Sequence, residues 1–284
     1  MYNSNVRLGN WMEDIALSEE EVKLYITKRE REDLLVQHTR KVFANVFREV
    51  QLAKPGDFIT FGSSVQLRAP DMPGFRPQSK HKNYGVVLAG TMNERDIDKV
   101  HHFFDGCCLV CSPVLTPPCV RNTFVIKSAD CQNRDGHNLK FGQEFLLQLI
   151  ESGEEPLYVR AETPCVDAPH GPLGHNPVRL SNRADCYSKW KVLYWDPNMR
   201  FETEGAPFPP STRLDRVVIG HVMTGLCLAV EYSEWYLTIF GPDCGISVHT
   251  YADVHKRETA ECLWMFVTDN ISSENADCPD SKQV

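Results

Sequence analysis

The chain has 284 residues, of which 42% are hydrophobic and 10% aromatic, enough to bury a core and to exclude wholesale disorder. Its 30 Lys and Arg residues and 38 Asp and Glu residues give a formal net charge of −8. That balance argues against nucleic acid as the main partner and against an anionic membrane surface, because both attract clustered basic residues.

The first residues, MYNSNVRLGNWMEDIAL, hold no apolar core of the signal-peptide type, so we expect no secretion. The longest apolar stretch, Val217 to Val230, is too short to span a bilayer and contains His221. The cysteines number 11, which is odd. Without an export signal we expect them to be reduced thiols in the cytoplasm, many of them buried.

The N-terminal part is predicted to be an arm followed by a helical segment. Residues 1–17 have no clear period and form the predicted arm. Residues 18–54 are predicted to be helical, because Ser18 and Glu21 have the spacing of a capping box and apolar residues then recur every three to four positions. The polar gap KREREDL allows one long helix or two helices with a break. The Lys-Pro-Gly sequence at 54–56 is expected to end the segment.

From residue 56 the apolar period changes to two, in short pieces rich in branched and aromatic residues, which is typical of an all-β fold. The segment GDFITFGSSVQL, which starts at residue 56, reappears without a gap as GHNLKFGQEFLL, which starts at residue 136. In this alignment Phe61 matches Phe141 and Gly62 matches Gly142. A glycine repeated at one place suggests a tight turn or a bulge.

Each of these two units continues into a second strand, NYGVVLAG or PLYVRAE, and closes with an aromatic strand around Phe124 or Trp190. A third, looser unit begins with RVVIGHVMTGLCLAV, where Ile219-Gly220 takes the place of Phe-Gly, and closes around Trp264. One four-strand unit cannot bury its own apolar face, whereas three around a pseudo-threefold axis can. The sequence therefore predicts a β-trefoil over residues 55–270. A generic β-sandwich is the alternative, since strand count alone does not settle topology.

Cys108 and Cys111 have the two-residue gap with which two thiolates hold one zinc ion, and they are the best metal candidate. Other possible ligands nearby are His101, His102, Cys107 and Cys119. No second pair with a similar gap stands close by, so a strand carrying small apolar thiols is the favoured interpretation. We expect neither a metal nor another cofactor.

The loop HGPLGH contains His170 and His175, which could hold a metal with Cys165 or Asp167, although a plain loop is favoured. His221 stands in an apolar strand. We expect it to be a core or turn histidine that a backbone carbonyl satisfies.

Sequence motifs of catalysis are missing: there is no GxSxG, HExxH, Walker A loop or GxGxxG. The Gln-x-Trp repeat of ricin-type lectin trefoils is missing too, because Ser188 and Cys262 stand two positions before the two tryptophans. We therefore expect a non-enzymatic protein. A trefoil module that binds a glycan or a protein partner is the alternative.

Six stretches, in matching order between Val6 and Asn270, carry a resemblance to a known family. They are NVRLGNWMEDI, GDFITFGSSVQL, NTFVIKSAD, LKFGQEFLL, HTYADVHKRE and LWMFVTDN. Together they are similar to the cilia- and flagella-associated protein 161 family. The resemblance implies a β-trefoil of the MIR type and a structural microtubule inner protein of the axoneme, without catalytic residues. It also implies tubulin and other microtubule inner proteins as partners. The implied place is the lumen of doublet microtubules, which such a protein would stabilise for ciliary motility.

The two ends of the chain are expected to serve partners. Arg7, Asn10 and Trp11 are hypothesised to anchor the arm, because an early aromatic residue flanked by polar groups resembles an interface hot spot. Residues 271–284 are expected to be a flexible tail, or a second arm that only a partner orders.

Overall fold

The computed structural model describes residues 11–54, 56–73, 85–113, 117–130, 134–151, 153, 155–163, 171–209 and 216–269. These residues form a mainly β body preceded by two helices. The predicted fold class is confirmed at that level.

The N-terminal segment consists of two helices, α1 at Trp11–Glu30 and α2 at Leu35–Val46. The polar gap KREREDL allowed one long helix or two helices with a break, and the structure confirms the two helices. The break is a C-terminal cap, in which Glu32 adopts a positive φ of 60°. The amide of Asp33 then donates to the carbonyl of Lys28 at 2.9 Å, as in a Schellman motif.

The predicted start of this segment is wrong, because α1 begins at Trp11 and not at Ser18. Glu13 and Asp14 lie in the first turn of α1, where the helix dipole favours negative charge. Ser18 lies inside the helix, and its hydroxyl donates to the carbonyl of Ile15 at 2.8 Å. The proposed capping box of Ser18 and Glu21 therefore does not start a helix.

The predicted end of the segment is wrong as well, because α2 ends at Val46 rather than near residue 54. The chain beyond α2 pairs with the β body instead of continuing the helix. The amide of Ala53 donates to the carbonyl of Ser64 at 2.8 Å, and Glu49 forms an isolated bridge with Cys119. A short single-turn helix, α3 at Arg200–Thr203, occurs later in the described chain.

The described residues contain twelve strands. In chain order they are β1 Ser64–Ala69, β2 Val86–Thr91, β3 Cys108–Pro113, β4 Phe124–Ser128, β5 Glu144–Leu149, β6 Tyr158–Ala161, β7 Asn176–Ser181, β8 Lys189–Tyr194, β9 Val217–His221, β10 Leu228–Thr238, β11 Gly241–Val248 and β12 Leu263–Val267.

Six of these strands form a closed antiparallel ring, in the order β1, β4, β5, β8, β9, β12 and back to β1. The other six form three hairpins, β2–β3, β6–β7 and β10–β11. The hairpins contact one another through β3, β7 and β11. A sheet that closes on itself in this way differs from the two facing sheets of the β-sandwich alternative.

The ring repeats one buried pair of residues three times. Val65 pairs with Phe124, Phe145 with Trp190, and Val217 with Trp264, and all six side chains are buried. The prediction that the aromatic closing strands face a core is therefore confirmed.

This register corrects the sequence alignment of the third unit. Since Val217 occupies the place of Val65 and Phe145, Ile219 corresponds to Leu67, two positions further along the strand. The match of Ile219-Gly220 to the earlier Phe-Gly pairs is wrong. An apolar residue before a glycine is too common a pattern to fix a register.

The repeated Phe-Gly pairs of the first two units do have equivalent structures. Gly62 has a φ of 87° and Gly142 a φ of 78°, in the left-handed region that favours glycine. The amide of Gly62 donates to Ile126 at 2.7 Å, and that of Gly142 donates to Val192 at 2.8 Å. Both glycines therefore form the tight turn that the repeat predicts.

Three buried residues that precede ring strands are joined by a cycle of backbone hydrogen bonds. The amide of Ile59 donates to Phe208 at 2.9 Å, that of Phe208 to Leu139 at 2.7 Å, and that of Leu139 to Ile59 at 2.8 Å. Each member belongs to a different unit, so the cycle ties the three units together.

Helix α2 packs on the β body through its C-terminal half. Val42 and Val46 are buried in the main core. The rings of Phe43 and Phe47 each lie 5.6 Å from the ring of Phe240, at the turn of the β10–β11 hairpin. Burying a side chain of this size contributes about 1.5–3 kcal/mol, so α2 is firmly attached to the body.

Candidate interaction surfaces

Helix α1 carries the largest set of exposed apolar side chains on one element of the described chain. Every described side chain from Met12 to Glu30 is exposed. The large apolar ones are Met12, Ile15, Leu17, Val22, Leu24, Tyr25 and Ile26. This 20-residue helix spans about 30 Å at 1.5 Å per residue.

The apolar residues of α1 lie on two sides of the helix. At 3.6 residues per turn, Ile15, Val22 and Ile26 share one side, whereas Leu17 and Leu24 share the opposite one. A helix that packs one face on its own protein typically shows a single apolar stripe. Helix α1 instead exposes apolar side chains on two opposite sides, which a single flat surface could not cover together.

The predicted anchor residues are not tested by this geometry. Arg7 and Asn10 lie outside the described residues. Trp11 is the first residue of α1, and its side chain is not among those described. The exposure of the helix itself was not predicted from the sequence. The available signal is that Leu17 and Leu24 lie opposite the side of Ile15, Val22 and Ile26.

The candidate zinc thiolates point in different directions. Cys108 is exposed at the start of β3 and Cys111 is buried. Residues three apart in a strand lie on opposite faces, so these two thiols cannot grip one ion. Cys111 stands opposite Cys244 of β11 in the strand register, and both are free thiols. Burial raises the pKa of Cys111 well above the ordinary value. The interpretation of this segment as a strand carrying thiols is confirmed.

The other possible ligands near this pair are dispersed. Cys107 is buried, and burial raises its pKa to about 12. The ring of His101 lies 4.9 Å from that of His38 in α2, and its carbonyl accepts a hydrogen bond from Asn45 at 3.0 Å. In the described part of the chain, no three His, Cys, Asp or Glu side chains converge on one point that could hold a metal.

His175 belongs to a buried polar network that its loop sequence did not reveal. Its Nδ1 lies 2.9 Å from Oε1 of Glu231, and its ring stacks on His249 with 3.9 Å between centroids. Glu231 is 1% exposed and also accepts hydrogen bonds from Ser247 and, at 2.7 Å, from Tyr251. The other residues proposed with His175, namely Cys165, Asp167 and His170, lie outside the described residues.

Both oxygens of the Glu231 carboxylate are thus satisfied inside the protein. Burial and the hydrogen bond to this carboxylate raise the pKa of Tyr251, which keeps the phenol a donor. A buried carboxylate with a full set of donors holds its neighbours in place. We assign this network a structural role.

His221 is buried at the end of β9, as its apolar strand predicted. Its Nε2 lies 2.9 Å from the carbonyl oxygen of Tyr187, and its Nδ1 lies 2.9 Å from the hydroxyl of Thr224. Burial lowers its pKa, so the neutral ring is favoured. The expectation of a histidine satisfied by a backbone carbonyl is confirmed.

A buried ion pair joins the first and third units. Arg121, 2% exposed, donates to Asp243, 1% exposed, at 2.5 Å. Its Nε also donates to the carbonyl of Gly90 at 2.7 Å, and its guanidinium lies 4.7 Å from the centre of the Phe240 ring. Because an uncompensated buried charge is costly, the contacts of Arg121 with these partners must form together.

Among the described residues, no helix is both long enough and apolar enough to cross a bilayer. Two solved structures match this chain at low sequence identity. The SDF2-like protein from Arabidopsis thaliana matches with a TM-score of 0.49 and 16% identity over 74% of this chain and 94% of its own. The designed three-fold symmetric protein ThreeFoil matches with a TM-score of 0.40 and 11% identity over 72% of this chain and 97% of its own.

Sequence relatives and a family model agree with each other. The cilia- and flagella-associated protein 161 of Mus musculus is 30% identical over 273 residues, which cover 95% of this chain and 89% of the relative. The Danio rerio protein of the same name is 28% identical over 275 residues, covering 96% and 90% respectively. The model of the cilia- and flagella-associated protein 161-like domain matches residues 38–170 and 174–269. The chain therefore belongs to the cilia- and flagella-associated protein 161 family.

Proposed function

We propose that this chain is a non-enzymatic structural protein that binds tubulin in the lumen of axonemal doublet microtubules, beside other microtubule inner proteins, and stabilises the doublets for ciliary motility. Its family is associated with cilia and flagella, and so is this chain. The observation that carries the proposal is the exposed helix α1, with apolar side chains on two sides.

The energetics of α1 favour a role inside an assembly. An isolated helix of this length is only marginally stable in water. Its large apolar side chains would each gain about 1.5–3 kcal/mol on burial. Contacts with neighbouring proteins on both sides of α1 would therefore hold the chain in the assembly more strongly than contacts on one side.

The buried polar groups support a structural role over catalysis. Arg121 and Asp243 neutralise each other, and Glu231 is fully occupied by internal donors. His221 is likewise bound on both ring nitrogens. Groups with shifted pKa values that face a cleft would suggest catalysis, whereas these serve the packing of the units.

We also infer that the β body is a β-trefoil of the MIR type. Three observations support this: the closed six-strand ring, the three hairpins that contact one another, and the buried pair repeated once in each unit. The hydrogen-bonded cycle of Ile59, Leu139 and Phe208 adds a fourth, because its three bonds join the three units in the cyclic way that a trefoil requires.

A variant of α1 tests the docking proposal. The double substitution Val22→Glu and Leu24→Glu places a charge on each apolar side and keeps good helix formers. We expect incorporation into axonemes to fall about tenfold or more, because each buried charge would cost several kcal/mol. The melting temperature should not change, since both side chains are exposed.

The matched control is Leu237→Glu, at a position 84% exposed near the tip of the β10–β11 hairpin. It should incorporate normally. Normal incorporation of the α1 double variant would contradict the proposal. The separate anchor hypothesis predicts that Trp11→Ala weakens incorporation without lowering the melting temperature, and general unfolding of that variant would remove it.

A further inference from the structure

We propose that a cleft beside the β6–β7 hairpin binds a carboxylate side chain of an acidic peptide segment, through Arg179 and Arg183. The cleft has a volume of about 230 Å³. The charged residues that line it are Asp105, Arg160, Glu162, Arg179 and Arg183. This inference concerns the purified chain and does not depend on the axonemal partner proposed above.

Two arginines face each other in this hairpin. Arg160 of β6 stands directly opposite Arg179 of β7 in the strand register. Like charges directly opposite in an antiparallel pair are destabilising. In a protein with a net charge of −8, this pair concentrates positive charge at one place.

The charge of Arg160 is neutralised within the protein, but that of Arg179 is not. Arg160 forms ion pairs with Glu162 and, at 3.0 Å, with Asp185, and its guanidinium lies over the ring of Tyr187. In the part of the chain that the structure describes, the guanidinium groups of Arg179 and Arg183 form neither an ion pair nor a hydrogen bond. Arg179 is half-buried and Arg183 is exposed, so both can be reached by a ligand at the cleft.

The charges and the donors favour a carboxylate as the ligand. A guanidinium presents a planar fork that matches the two oxygens of a carboxylate. Because Glu162 and Asp185 already occupy Arg160, the guanidinium groups of Arg179 and Arg183 are the ones left to pair with a carboxylate at the cleft. Asp105 and Glu162, which also line the cleft, would repel a doubly charged phosphate more strongly than a singly charged carboxylate.

The size of the cleft favours a side chain of a larger partner over a free small molecule. Sites for small molecules usually measure about 300–1,000 Å³, and this cleft is smaller. A glutamate or aspartate side chain is smaller than such a molecule, and Arg179 and Arg183 both line the cleft that would receive it. The peptide that carries it would lie across the outer side of the hairpin.

The test is the binding of a fluorescently labelled, C-terminally amidated hexaglutamate peptide to the full chain at low salt, followed by anisotropy. We expect saturable binding that Arg179→Gln with Arg183→Gln weakens about tenfold or more, because two charge-assisted contacts are lost. The control Arg29→Gln with Arg31→Gln removes the same charge from the exposed N-terminal segment and should weaken binding less than about twofold.

Two further comparisons identify the ligand class. Inorganic phosphate should compete only at concentrations far above those of the peptide, and competition at lower concentrations would overturn the choice of a carboxylate. A hexaserine peptide with a free C-terminus shows whether a terminal carboxylate suffices. If it binds as well as hexaglutamate, the claim that a side chain is recognised is wrong.

Stability separates binding from a folding defect. Arg179→Gln alone should leave the melting temperature unchanged or raise it, because it removes the repulsion across the hairpin, while it weakens peptide binding. Glu162→Gln should strengthen binding, because it releases part of the charge of Arg160. Absence of saturable binding to the wild-type chain, or wild-type binding by the double variant, would overturn the proposal.

Discussion

The indole Nε1 of Trp190 donates a hydrogen bond of 2.8 Å to the carbonyl of Val159, joining the closing strand of the second unit to the first strand of its own hairpin. Trp264 makes the same bond, also of 2.8 Å, to Leu228 in the third unit. Both indoles are fully buried, so each supplies apolar area to the core while its N–H donates to a backbone carbonyl.

Removal of either indole should be strongly destabilising. We expect Trp190→Ala or Trp264→Ala to lower the free energy of unfolding by about 3–5 kcal/mol, because each leaves a large cavity and removes the hydrogen bond of the indole to a backbone carbonyl. Urea denaturation measures the loss. The control is Trp195→Ala, at a position 42% exposed, which should change stability by less than about 1 kcal/mol. A loss below about 1 kcal/mol at Trp190 would mean that this ring does not support the core.

The buried pair Arg121–Asp243 makes a different prediction, about coupling. Arg121→Met should cost about 3–5 kcal/mol, because it leaves the Asp243 carboxylate buried without its partner. Adding Asp243→Leu should restore much of that loss, since the unpaired charge is gone. A double-mutant cycle from denaturation curves measures the coupling, and additive losses would show that the two residues act independently.

His221 should make stability depend on pH in a defined direction. Burial lowers its pKa in the folded state below the ordinary value of 6.5, so the unfolded chain binds the proton more readily. Its contribution to stability is therefore fully present above about pH 6.5 and is lost as the pH falls through the folded-state pKa.

Denaturation curves at about pH 7.5 and 5.5 check this prediction. The wild-type chain should lose stability at the lower pH, and His221→Gln should lose less between the same two values. His255→Gln, at an exposed position, should behave as the wild type. A pH dependence unchanged by His221→Gln would contradict the prediction.

The described cysteines should differ sharply in reactivity. Cys108 and Cys186 are exposed. Cys107 and Cys244 are buried, and burial raises the pKa of each to about 12. Because the thiolate is the reactive form, brief iodoacetamide treatment followed by mass spectrometry should modify the two exposed thiols first. The buried ones should react only in denaturant, and early modification of Cys244 would contradict its burial.

Local sequence patterns predicted the parts of the fold that depend on short-range periodicity. The two Phe-Gly repeats, the aromatic closing strands and the place of His221 all follow from residues within one strand or turn. The register of the third unit does not, because Ile219-Gly220 resembles a Phe-Gly pair by composition alone. Pairing across the ring, through Val217 and Trp264, decides it.

Features that join distant parts of the chain left little trace in the sequence. Arg121 and Asp243 are 122 positions apart, and nothing near either residue indicates the other. The same holds for the cleft beside the β6–β7 hairpin. Arg160 and Arg179 stand opposite each other only once β6 and β7 have paired. Interactions between distant residues are set by topology, which a single sequence constrains weakly.

The most direct test of the central claim is an averaged density map of ciliary doublet microtubules. The account predicts density on the luminal wall that fits a closed six-strand ring with three hairpins, with α1 held between tubulin and a neighbouring inner protein. Density for this chain only on the outer surface of the doublet, or a luminal body whose α1 touches no neighbour, would contradict it.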